Sequence, residues 1–192
     1  NFWRIASAFF DAKGEMAMPR WQNELKEWAK ALLLAIVLAL VLRIFVIDNY
    51  IVDGDSMLPT LHDQDRVLVY KLGQKLGQSP QRGDIIVFKY TREPWRDFVK
   101  RVVGIAGDQV EIKDGKLYIN NKVQSEPYLS GVTLGNYGPV TVPEGTVFVL
   151  GDNRNLSMDS RDASVGMVPY GNIRGKAILV YWPLHMMRVI SR

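Results

Sequence analysis

The sequence predicts a mostly β protein, an antiparallel β-barrel or sandwich, with one N-terminal transmembrane helix. Three observations predict it. Residues Ala31–Ile47 form an apolar run whose only charge is Arg43. From residue 48 onward, short runs of Val, Ile, Tyr and Phe are punctuated by Gly, Pro and Asp, the pattern of short strands and turns. No long helical periodicity appears in that region. Three segments follow: a cytoplasmic N-terminal segment 1–30, an anchor 31–47, and an extracytoplasmic β-rich domain 48–192.

A membrane span needs roughly 17–25 apolar residues at about 1.5 Å of rise each. The run 31–47 sits at the short end of that range. Arg43 lies near its C-terminal end, where a long side chain can reach the headgroups. Trp28 and Tyr50 flank it as interfacial aromatics. Residues 1–30 contain Arg4, Lys13, Arg20, Lys26 and Lys30, whereas residues 48–65 contain neither Lys nor Arg. Positive-inside logic therefore places the N-terminus in the cytoplasm and the rest outside, as a single-pass cell-membrane protein. The run exceeds the usual apolar core of a cleaved signal, about 7–15 residues, and no A-x-A site follows it.

Candidate strands follow in order at 50–52, 66–72, 84–90, 98–106, 109–113, 116–119, 140–142, 146–150 and 176–182. Asp114-Gly115 is a two-residue hairpin turn between the fifth and sixth of them. Segments 74–81, 92–96 and 126–138 read as loops.

Composition narrows the chemistry. The chain has no cysteine and two histidines, His62 and His185. Disulfides, thiolate zinc sites, cysteine nucleophiles and histidine-pair metal sites are excluded, and no metal or cofactor is expected. The net charge of +4 is mild, and the basic residues are interspersed with acidic ones, which argues against a nucleic-acid partner. Neither histidine suits a Ser-His-Asp triad, since His62 is six residues from Ser56 and His185 sits in a Trp-Pro-Leu-His-Met-Met stretch. Ser–Lys pairing, an N-terminal threonine and paired carboxylates remain.

Three segments carry the candidates. In Gly54-Asp55-Ser56-Met57-Leu58-Pro59-Thr60-Leu61, a serine on a tight turn after a strand can expose Oγ and leave its own N–H free for an oxyanion. An ordinary strand-to-turn connection has the same composition. In 98–108, FVKRVVGIAGD, alternation puts Lys100 and Arg101 on opposite faces. A lysine buried among Phe98, Val99, Val102 and Val103 would lose solvation and become a base, while an exposed edge strand would simply display both charges. In 151–161, GDNRNLSMDSR, short polar side chains and two arginines suit a loop held by its own hydrogen bonds.

GDSMLPTL, KRVVGIAGD and GDNRNLSMDSR, in this order after an apolar segment, resemble the bacterial type I signal peptidases from residue 31 onward. A single anchor and a short chain resemble the Gram-positive type. The resemblance implies a monomeric, membrane-bound serine endopeptidase without cofactor. Its partners would be the lipid bilayer and signal-peptide-bearing precursors, cut after small residues at A-x-A-like sites. It implies Ser56 as nucleophile and Lys100 as general base. Ser157 would orient the amine, and Asp159 with Arg161 would form a supporting ion pair. Some members carry a serine hydroxyl as second oxyanion donor two residues before the nucleophile, where this chain has Gly54. Tyr50, Val52, Met57, Leu61, Phe98 and Val99 would line shallow substrate pockets, with the substrate extended along strand edges. Two rivals stand beside this reading: a self-cleaving Ser–Lys repressor, and a membrane-tethered binding domain without catalysis.

Overall fold

The computed structural model describes residues 20–191, so the predicted N-terminal segment up to residue 19 lies outside the described residues. The chain divides into two compact units between Ile44 and Phe45.

The N-terminal unit contains helix α1, Arg20–Val41, and a π-helix over Leu42–Val46 follows it across the boundary. The expected transmembrane helix over 31–47 is corrected here: no helix among the described residues is long and apolar enough to cross a membrane. The apolar run is shared among three conformations. Regular α-helix covers only Ala31–Val41 of it, the π-helix takes the next turn, and Ile47 already belongs to a strand. Eleven apolar residues in regular α-helix rise about 16 Å, roughly half the hydrocarbon thickness. Hydrophobicity sets composition but not winding, so the sequence could not locate these breaks.

The second unit is built from two antiparallel sheets. Its strands are β1 (Ile47–Ile51), β2 (Arg66–Tyr70), β3 (Ile85–Lys89), β4 (Asp97–Ile105), β5 (Gln109–Lys113), β6 (Lys116–Ile119), β7 (Lys122–Val123), β8 (Tyr137–Thr141), β9 (Thr146–Leu150), β10 (Val168–Pro169), β11 (Ile173–Trp182) and β12 (Arg188–Val189). The larger sheet runs β1-β2-β11-β3-β4-β9-β10, with β12 added against β11. The smaller runs β7-β6-β5-β8. A one-turn helix, α2 (Leu72–Lys75), takes the last residue of the strand expected over 66–72 and the first two of the loop expected over 74–81. The antiparallel β prediction is confirmed, but no closed barrel forms. The described strands leave β1 and the two-residue β10 as unpaired edges of the larger sheet.

Val/Ile alternation explains the layers. In β2, Val67 and Val69 point inward and are almost fully buried, packing with Met57, Leu61, Ile85, Val87 and Val180. Each such aliphatic side chain contributes roughly 1.5–3 kcal/mol by leaving water. A separate cluster, including Val110, Ile112, Leu117 and Ile119 of the small sheet, packs on Val103, Phe148 and Leu150 of the large one. β4 is therefore covered on both faces around Lys100 and Arg101: Lys100 lies opposite Ile86 of β3, while Arg101 lies opposite Ile85 and, on the other side, Leu150 of β9, where the pairing with β9 begins. Lys100 and Arg101 are accordingly buried, while Asp97 and Val99 keep part of their surface exposed.

Candidate active site

Beyond β1 the chain loops out and returns. Val52 N donates to Asp65 O and Gln64 N to Val52 O, each at 2.9 Å, closing the loop on the strand end. Gly54 enters this loop at φ +89°, a left-handed conformation open to glycine without a Cβ penalty. Its N–H donates to Asp63 Oδ1 at 2.8 Å, so it is not free for an oxyanion. Ser56 sits in the turn closed by Leu58 N to Asp55 O at 3.2 Å. Among the described residues no acceptor meets the Ser56 N–H. The turn then winds once, with Leu61 N donating to Met57 O at 2.9 Å.

That winding corrects two expectations. Met57 and Leu61, assigned to substrate pockets, are fully buried in the core and do not line the cleft beside Ser56. They are four residues apart, so one helical turn aims both inward toward Val67 and Val69.

Lys100 reaches Ser56 from β4. Its Nζ lies 2.8 Å from Ser56 Oγ and donates to Val99 O at 2.9 Å. The residue is 4% exposed, and Nζ sits 5.3 Å above the Phe98 ring. Burial brings its amine down from 10.5 to about 8, overcoming Asp159 and Asp152, whose negative charges push it upward. No described carboxylate lies at ion-pair distance from it. The amine is thus kept dry without being neutralised by a partner.

The loop 151–161 closes over the serine turn. Asn153 N donates to Ser56 O at 3.0 Å, and Asn153 Nδ2 to Asp55 O at 3.1 Å. Asp159 is buried; its Oδ2 accepts from Gly151 N at 3.0 Å, and its Oδ1 pairs with Arg161 Nε at 2.8 Å. Gly151 admits no larger residue, because a Cβ there would meet Ser56 O at 2.5 Å and the Ser157 side chain. Ser157 departs from the role the resemblance implies: its Oγ does not bond the Lys100 amine and is buried without a partner.

Sequence reasoning missed the other face of β4. Arg101 is fully buried and makes a bidentate ion pair with Asp152, Nε to Oδ1 and Nη2 to Oδ2 at 2.8 Å each. Thr60 Oγ1 donates to the same carboxylate, and Arg101 Nη1 donates to Gly83 O at 3.0 Å. Two adjacent cations flanked by valines were a signal that both faces are covered. The partner, far along the chain, was not legible.

A cleft of about 370 Å³ opens over Ser56 and Lys100. Tyr50, Val52, Phe98 and Val99 line it, as do Leu156, Met158 and Val87, which sequence reasoning did not single out. Leu156 and Met158 are the two apolar side chains of an otherwise polar loop and are exposed, a signal that could have found them. Among the described residues no group of His, Asp and Glu could hold a metal ion.

The signal peptidase, peptidase S26 family matches residues 25–182. A signal peptidase I of Bacillus licheniformis is 45% identical over 177 residues, covering 87% of this chain and 94% of the relative. Signal peptidase I T of Bacillus subtilis (strain 168) is 43% identical over 176 residues, covering 86% and 90%. A solved signal peptidase I from Enterococcus faecalis V583 is 36% identical, covers 51% of this chain and 96% of that chain, and gives a TM-score of 0.46. With a family match over most of its length and relatives alike over most of both chains, the chain belongs to the signal peptidase family, peptidase S26, and is an enzyme of it.

Proposed function

We propose that the protein cleaves signal peptides from exported precursors with a Ser56–Lys100 dyad. The observation that carries this reading is the 2.8 Å contact between Ser56 Oγ and a buried Lys100 amine. The neutral amine takes the hydroxyl proton as Ser56 Oγ attacks the scissile carbonyl. The Ser56 N–H donates to the developing oxyanion. The ammonium then protonates the leaving amine, giving an ester-linked acyl-enzyme. Lys100, neutral again, removes a proton from the water that hydrolyses the ester. Ser157 orients the amine after rotating from its unpartnered position, and Asp159 with Arg161 holds the loop that carries it.

The precursor lies extended beside β1 and β4, with Tyr50, Val52, Phe98 and Val99 bounding shallow pockets that admit small residues before the scissile bond. The protein acts as a monomer without cofactor. The apolar stretch 31–47 holds it at the bilayer, with the catalytic unit on the extracytoplasmic side. Leu32, Leu33 and Leu34 point in three directions around α1 and are 64%, 63% and 69% exposed, a surface suited to lipid rather than water.

The test uses the detergent-solubilised full chain and a precursor bearing an A-x-A site. Wild type cuts after the second alanine; Ser56→Ala does not, while keeping the wild-type circular dichroism spectrum. Cleavage by Ser56→Ala would overturn the dyad. In the same cells, alkaline washing should leave the chain with the membranes, and its release would remove the bilayer assignment.

A further inference from the structure

The active-site loop is held from outside the three motifs that define it. Arg154 and Glu126 form a buried ion pair, their side chains 2% and 7% exposed. Glu126 comes from the connection between β7 and β8 of the small sheet. Both terminal guanidinium nitrogens of Arg154 donate to it, Nη1 to Oε2 at 3.1 Å and Nη2 to Oε1. With its end fixed, Arg154 turns Nε onto Gly151 O at 3.1 Å, and its own carbonyl accepts from Arg161 Nη2. Arg161 grips Asp159, and Asp159 accepts from Gly151 N, so the hydrogen bonds close a ring around residues 151–161. Ser157 and the Ser56 carbonyl abut this ring at Gly151.

Glu126 also holds the opposite face of β4. Tyr128 Oη donates to Glu126 Oε1 at 2.8 Å, and the Tyr128 ring lies 3.9 Å from the Arg101 guanidinium. Burial, with Glu126 beside it, pushes the Tyr128 hydroxyl well above its ordinary range, so it stays a donor. One carboxylate therefore braces the loop through Arg154 and the residue next to Lys100 through Tyr128.

We infer that Glu126 is a positioning residue of the reaction, fixing the loop 151–161 and the Lys100 strand in one geometry without touching substrate. It does not line the cleft. The inference rests on the Ser56–Lys100 reading. Displacing reacting groups by about 1 Å can cost on the order of a hundredfold in rate, so loosening a brace costs turnover before it costs binding. The small sheet is then part of the catalytic apparatus.

Single-turnover cleavage with excess enzyme separates positioning from mere folding. The limiting rate constant is independent of the folded fraction, whereas a reduced folded fraction raises the enzyme concentration giving half that rate. Glu126→Gln keeps the shape and removes the charge. It should lower the limiting rate about tenfold and leave the half-saturating concentration within about twofold. Glu126→Asp, which keeps the charge with less reach, should recover part of the rate and serves as the deciding variant if Glu126→Gln does not fold. An unchanged limiting rate in the folded variant, or a rise in half-saturation alone, would overturn the positioning role. Cleavage by Ser56→Ala would instead overturn the dyad, so the two failures are distinguishable.

Discussion

Lys100 and Arg101 are adjacent in sequence, project from opposite faces of β4, and are both buried, yet they are held in opposite ways. Arg101 meets a bidentate carboxylate and a backbone carbonyl, so its charge is compensated where it lies. Lys100 meets a serine hydroxyl, one carbonyl and an aromatic face, with Asp152 and Asp159 acting only from a distance. Desolvation on the arginine's side is balanced by its partner. On the lysine's side it is left to act on the amine. The difference teaches that one strand can make a scaffold and a base from two cations simply by supplying or withholding a carboxylate at bonding distance.

The largest effect that would break this contrast is expected at Lys100. Lys100→Arg keeps a cation on the face and forfeits the base, because guanidinium does not deprotonate. Turnover should fall by about a thousandfold or more, within the span attributed to acid–base catalysis. The pH profile sharpens the same point. The amine must be neutral, and burial places it at about 8, so kcat/KM should rise with pH and level off above that value. Below it the rate should drop about tenfold per unit. Wild-type turnover by Lys100→Arg, or a profile flat from pH 6 to 9, would rule out the amine as base.

The scaffold side makes the reverse prediction. Asp152→Asn preserves shape but strands a fully buried guanidinium without its charge partner, which should cost about 3–5 kcal/mol in urea unfolding. Lys100→Met removes a buried amine that has no carboxylate at bonding distance, and should leave the midpoint unchanged or higher. Equal destabilisation by the two variants would show that the faces do not differ in the way proposed.

The reasons some of this was readable from sequence are local. Alternation of apolar residues marks β2, β5 and β6 because a half-buried strand must place apolar groups at every second residue. The serine turn, the lysine strand and the polar loop were recognisable from their residues and order. What lay beyond reach depends on tertiary pairing. Asp152 becomes the partner of Arg101 because β9 delivers it there through the Arg101–Leu150 register. Met57 and Leu61 read equally well as pocket or core until the turn's winding is known. β7, β10 and β12 are two residues long, too short to carry a period.

The smallest effect, and the finest test of the contrast, lies at Ser157. Every polar atom of Arg101 and Asp152 faces a partner, whereas Ser157 Oγ is buried with none. An unsatisfied buried hydroxyl costs on the order of 1–3 kcal/mol, so Ser157→Ala should leave stability unchanged or raise it slightly. If the hydroxyl turns to the Lys100 amine during catalysis, the same substitution should lower kcat about tenfold with KM unchanged, as expected for a group that only orients the base. Stability and turnover would then move in opposite directions, which no purely structural role produces. A fall in stability would mean that the hydroxyl is already partnered in the resting enzyme, and an unaltered kcat would remove Ser157 from the mechanism while leaving the Ser56–Lys100 contact untouched.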